Sequence, residues 1–157
     1  MNRLVLMLFT LLSANAYSNE FEFLEPKDVD ALPSEIAEQL AAEGCTIPKW
    51  IYEFGGFTKG QFATAGQTDI AVLCKNEKGN FIRIFWSNQA PCPDTIKSFG
   101  QFVTTVDEKY ITDHYEAYGG NVPPKITHEA INDHYVEKSS IVKYCHNGKW
   151  LELTGAD

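Results

Sequence analysis

His128, Glu129, Asp133 and His134 are the densest set of side chains in this sequence that could bind a metal ion or move a proton. On a helix over 125–135, Glu129 and Asp133 stand one turn apart on one face. His114, beside Asp113 on the preceding helix, would add an imidazole. Together they could supply the acid–base chemistry of a hydrolase acting on the cell wall or a polysaccharide. The spacing is not that of a zinc protease, because Asn132 stands where H-E-x-x-H needs its second histidine. No serine sits in a G-x-S-x-G setting, and no cysteine pair has C-x-x-C spacing. No catalytic residue is assigned outright, and neither a metal nor a cofactor is expected. Helix capping and a solvated surface explain the same polar residues.

The elements that must position these groups can be read from periodicity. Residues 32–44 predict a helix, with Pro33 in its first turn, Gly44 at its end and a stripe of Ile36, Ala37, Leu40 and Ala41. Trp50 to Phe57 could hold a short strand, and 62–65 a strand or bulge. Ile70 to Leu73 is a continuous apolar run typical of a buried strand, and a hairpin follows to Trp86. Residues 88–94 read as a loop and 99–106 as a strand. Thr105 and Glu108 have capping-box spacing before a helix that Gly119-Gly120 ends. Residues 125–135 are ambiguous, with Ile131 and Tyr135 at helical spacing. Asn147-Gly148 predicts a hairpin over 139–153, with Tyr144 opposite Leu151, Val142 opposite Leu153, Cys145 opposite Trp150 and Lys143 opposite Glu152. One side of that hairpin is expected to be exposed or part-exposed. The fold class is α+β: a mainly antiparallel sheet of about five to seven strands, two or three packed helices, and disulfides for support.

Residues 1–16 read as a secretory signal peptide: a basic start, an apolar run from Leu4 to Leu12 broken by Thr10, and the small-x-small triplet Ala14-Asn15-Ala16. A single domain over 17–157 remains, exported and most naturally to a bacterial periplasm. Loss of Arg3 leaves 12 of 13 basic residues against 21 acidic ones, a formal charge of −9. Such a surface repels phosphate backbones and anionic lipid heads. Nucleic acid is therefore not expected as a partner, and because no stretch beyond the leader could cross a bilayer, neither is membrane insertion of the mature chain. In an oxidising space Cys45, Cys74, Cys92 and Cys145 predict two disulfides. Spacing alone does not choose among three connectivities. With Cys45 after a helix, Cys74 at the end of a strand, Cys92 between two prolines and Cys145 in a C-terminal strand, the preferred pairing is Cys45–Cys74 with Cys92–Cys145.

Trp50 and Tyr52 cluster near Gly55-Gly56, and Tyr115 and Tyr118 extend one helix face. These are candidate binding aromatics for a protein or a glycan, although an ordinary core would use them equally well. The composition thus favours a periplasmic binding or inhibitory module for a protein partner, basic if steered by charge, such as a cationic envelope-active enzyme. A cell-wall or polysaccharide hydrolase and a structural envelope component are the alternatives.

Two resemblances add to this reading. Residues 60–72, Gly-Gln-Phe-Ala-Thr-Ala-Gly-Gln-Thr-Asp-Ile-Ala-Val, resemble the blade motif of FG-GAP and integrin-type propellers. Of the calcium-loop acids only Asp69 is present, so the resemblance implies a loop-to-strand turn without calcium binding. Gly44-Cys45-x-Ile47-Pro48, Gly66 to Cys74, His128-Glu129-x-Ile131-x-Asp133, Glu137-Lys138, Tyr144 and Gly148-Lys149-Trp150-x-x-Leu153 resemble blocks of a family of small bacterial exported proteins with no assigned activity. That resemblance also implies a Cys45–Cys74 bridge.

Overall fold

Alternating apolar residues build two four-stranded meanders that face each other. In the computed structural model, residues 21–50 and 55–156 are described. The expected leader over 1–16, and Tyr52, lie outside them. The first meander has the order β3 (Phe57–Gly60), β4 (Asp69–Asn76), β5 (Gly79–Phe85) and β6 (Thr95–Lys97). The second has β7 (Phe102–Val106), β8 (Ala130–Tyr135), β9 (Ser139–His146) and β10 (Lys149–Thr154). All pairings are antiparallel. A small third sheet pairs β1 (Phe21–Leu24) with β2 (Ile47–Trp50).

The period-two alternation gives each large sheet two buried faces. Ala71, Leu73, Ile82 and Ile84 meet Val103 and Ile131 between the sheets. On the outer face of the first sheet, Val72 and Cys74 pack on Ala37 and Leu40 of α1 (Ser34–Ala42). On the outer face of the second, Val142, Tyr144 and Leu153 pack on Ile111 of α2 (Glu108–Tyr118). The result is an α/β/β/α stack, in keeping with the α+β expectation. The described residues form ten strands in three sheets, more than the five to seven expected of one sheet. Each disulfide ties a layer boundary: Cys45–Cys74 joins the segment after α1 to β4, and Cys92–Cys145 joins the loop after β5 to β9.

The Asn147-Gly148 hairpin has the register expected of it, including Tyr144 opposite Leu151 and Lys143 opposite Glu152. Its second face is part-exposed, with Glu152 open to solvent and Trp150 partly buried. It lies against the first sheet, and Lys143 is fully buried, with its ammonium 2.6 Å from the half-exposed Glu152 carboxylate. Residues 130–135 are a strand, not a helix. β8 is hydrogen-bonded on both sides, by β7 and β9, and both its faces are filled. Tertiary pairing here overrides helical spacing. Residues 62–65 and 99–101 lie outside strands. The capping box is shifted: Asp107 is the N-cap and accepts the Tyr110 N–H at 2.9 Å, while Thr105 stays in β7 and donates to the Lys59 carbonyl. Gly119 ends α2 at φ +72°, a conformation that favours glycine.

Candidate functional site: a row of lysine-capped aromatics

The five polar candidates do not converge as a set: His128 and Glu129 border one cleft of about 330 Å³ with Asp107 and Glu108, and the other three lie elsewhere. His114 stacks on Tyr110 in α2, and its Nδ1 meets the Tyr110 carbonyl at 2.8 Å. Both His128 nitrogens face backbone carbonyls, of Glu129 at 2.9 Å and Cys145 at 3.0 Å, and its ring stacks on Tyr144. Neither nitrogen is open to a ligand. Glu129 accepts the Gln61 N–H at 2.8 Å and so fixes the loop before β4. Because β8 is a strand, Asp133 and His134 point to opposite faces. His134 lies flat on Phe102, with ring centroids 4.2 Å apart, and its Nε2 is 2.8 Å from the Thr104 hydroxyl. Burial pushes its pKa down to about 4. Asn132 is buried and donates to the Tyr110 hydroxyl. Among the described residues no three His, Cys, Asp or Glu side chains are grouped to hold a metal ion.

Asp133 has a different task. One of its oxygens accepts the Ser98 hydroxyl at 2.8 Å and the other the Phe99 N–H at 3.2 Å. The Ser98 hydroxyl in turn accepts the Gly100 N–H at 3.0 Å. Burial raises the Asp133 pKa, and these hydrogen bonds oppose the rise. The buried carboxylate therefore clamps the 98–100 loop, and the loop holds Phe99 outward, 53 % exposed.

Phe99 is the middle of a row. Lys97, two residues back at the end of β6, places its ammonium 4.9 Å from the Phe99 ring centroid. On one side, Phe23 of β1 is 48 % exposed and lies 4.5 Å beneath the Lys75 ammonium. Reciprocal backbone bonds between Thr46 and Lys75 tie the end of β4 to the segment entering β2, which carries β1, and so place Lys75 over Phe23. On the other side, Tyr135 at the end of β8 is 40 % exposed and lies 4.8 Å from the Lys138 ammonium. The turn between them closes through the Lys138 N–H to the Tyr135 carbonyl, with Glu137 at φ +58°.

Three neighbouring clefts with shared lining residues border these rings. The first, about 440 Å³, lies among Phe23, Lys75, Asn80 and Gly100. The second, about 860 Å³, shares Asn80 and is lined by Lys78, Lys97 and Phe99. The third, about 180 Å³, shares Phe99 and Gly100 and ends at Tyr135 and Lys138. Glu43 borders the second cleft, but Arg83 holds it at 3.3 Å. Asp133 borders the third from its buried position. A chain of net charge −8 thus carries four exposed lysines, 75, 78, 97 and 138, around three exposed rings.

The three expected binding aromatics that are among the described residues lie elsewhere or make other contacts. Trp50 is partly buried and stacks on Phe102, with centroids 6.1 Å apart. Tyr115 is partly buried, and Tyr118 is exposed on α2, away from the row. Tyr52 is outside the described residues. Lys97-Ser98-Phe99 and Tyr135 to Lys138 are local enough to find by spacing, whereas Phe23 and Lys75 meet only through the fold. Asp69, from the blade-like block, is buried and accepts Gln67 and the Ser87 N–H, which closes the loop before β4. No helix of the described residues is long and apolar enough to cross a membrane. No protein-family model, curated protein or solved structure matches this chain.

Proposed function

We propose that this chain is an exported, disulfide-stapled binding module that recognises an anionic partner through the Phe23–Phe99–Tyr135 row. The observation that carries this reading is the threefold recurrence of one unit, an exposed ring under a lysine ammonium, along clefts that share lining residues. Exposed aromatics supply contact area at low cost in side-chain entropy, and lysines supply charge on flexible stems. Whole-chain charge alone favours a basic partner. Each exposed ring, however, has a lysine ammonium on it, and local charge governs docked contacts. Export to the periplasm is supported by the leader-like residues 1–16 and by two disulfides. The hydrolase reading asks for a concave site holding His128, Glu129 or His114; His128 and Glu129 border one cleft, but His114 does not join them, and both His128 nitrogens already face carbonyls.

The experiment is binding to a carboxymethyl-dextran surface in low and high salt. The expected result is salt-sensitive retention, despite the net negative charge, that is lost in the triple variant Lys75→Gln, Lys97→Gln, Lys138→Gln. Absence of retention, or retention indifferent to the three lysines, would refute the proposal.

A further inference from the structure

We infer that the occupant of the row is an acidic polysaccharide, a chain of sugar rings with one carboxylate per repeat. This rests on the reading of the row as the recognition surface and specifies its ligand. A recurring receptor unit suits a recurring ligand unit. Each of the three units offers one flat apolar ring and one ammonium, in the pairs Phe23 with Lys75, Phe99 with Lys97 and Tyr135 with Lys138. A uronic acid residue offers the complement: the C–H face of a pyranose to lie on an aromatic ring, and a carboxylate for the ammonium. The rings lie along open clefts that share walls at Asn80, Phe99 and Gly100, which admits a continuing chain rather than a single enclosed molecule. Asn80 is exposed at the wall between the first two clefts, where its amide can serve sugar hydroxyls.

The row is also built rather than incidental. Its central ring is held out by the Asp133–Ser98 clamp, and the buried Lys143 ammonium lies 5.9 Å from the Phe99 ring.

The test is calorimetric titration of the full chain with three probes: oligogalacturonate, the same oligosaccharide as its methyl ester, and poly-L-glutamate. The ester keeps the sugar ring and removes the charge, while the polypeptide keeps the charge and removes the ring. Oligogalacturonate should bind best, with the ester and poly-L-glutamate each about tenfold weaker or worse. Phe99→Ala and Lys97→Gln should each weaken oligogalacturonate by about fivefold or more. Tyr118→Ala, on an exposed ring away from the row, should leave binding unchanged, and circular dichroism should show the variants folded. Equal binding of the ester would overturn the carboxylate. Equal binding of poly-L-glutamate, insensitive to Phe99→Ala, would overturn the sugar while leaving an anion-binding row in place. Binding of none of the three probes would overturn both the inference and the function on which it rests.

Discussion

Asp133 reaches Ser98 across the gap between the two meanders, carboxylate oxygen to hydroxyl at 2.8 Å, and that contact fixes where Phe99 stands. The loop is packed tightly against the clamp. A Cβ placed on Gly100 would overlap the Asp133 carboxylate, so only glycine fits there. Ser98→Ala should cost about 1–3 kcal/mol, because it strips a donor from a buried acid. Gly100→Ala should cost about as much or more, through the clash. Urea denaturation measures both, and wild-type midpoints would show that the clamp does not hold.

His134 makes stability pH-dependent. Its folded-state pKa of about 4 lies below the ordinary histidine value, so over that interval the unfolded chain binds a proton that the folded chain excludes. Stability should therefore fall as pH drops from about 6.5 toward 4 and level off below. Asp133 works in the opposite sense, since its raised pKa removes stability as pH rises above the ordinary carboxylate range. Denaturant titrations of the wild type and His134→Gln at pH 7 and pH 4.5 isolate the histidine. The variant should lose less stability between the two pH values, and parallel losses would refute the assignment.

The Lys143–Glu152 pair should respond asymmetrically. Lys143 is fully buried, while the Glu152 side chain is 57 % exposed. Glu152→Ala leaves a buried ammonium without its carboxylate and should cost about 3 kcal/mol. Lys143→Met fills similar volume and returns Glu152 to water, so it should be close to neutral or stabilising. Thermal melts of the two variants give the comparison, and equal destabilisation would contradict it.

The two bridges should differ modestly. Cys45–Cys74 spans a separation of 29 residues and Cys92–Cys145 one of 53. Loop-closure entropy gives each about 3–4 kcal/mol, with the longer loop slightly ahead. Paired serine variants should lose stability in that order. Cys45→Ser with Cys74→Ser should also weaken the Phe23 end of the row, because Cys74 precedes Lys75.

The hairpin over 139–153 was legible because Asn147-Gly148 sets a turn and period-two alternation then sets every pairing. β8 was not. Ile131 and Tyr135 have helical spacing, and only the presence of β7 and β9 on either side makes a strand of Asn132 and Asp133. Burial of Lys143 was hidden for a related reason: within the hairpin alone its face looks free, and the first sheet covers it. The row itself was half-visible. Lys97 and Phe99 are neighbours in sequence, but their importance rests on Asp133, which the sequence presented as an acid–base candidate. Phe23 and Lys75 meet only through the bridge between Thr46 and Lys75.

An amide nuclear magnetic resonance titration with oligogalacturonate reads the row residue by residue. The shifts should concentrate on Phe23, Lys75, Asn80, residues 97–100, Tyr135 and Lys138, with α2 around Tyr118 unmoved. Shifts centred on α2 or on the His128–Glu129 segment, or no shifts at all, would contradict the assignment of this row as the recognition surface.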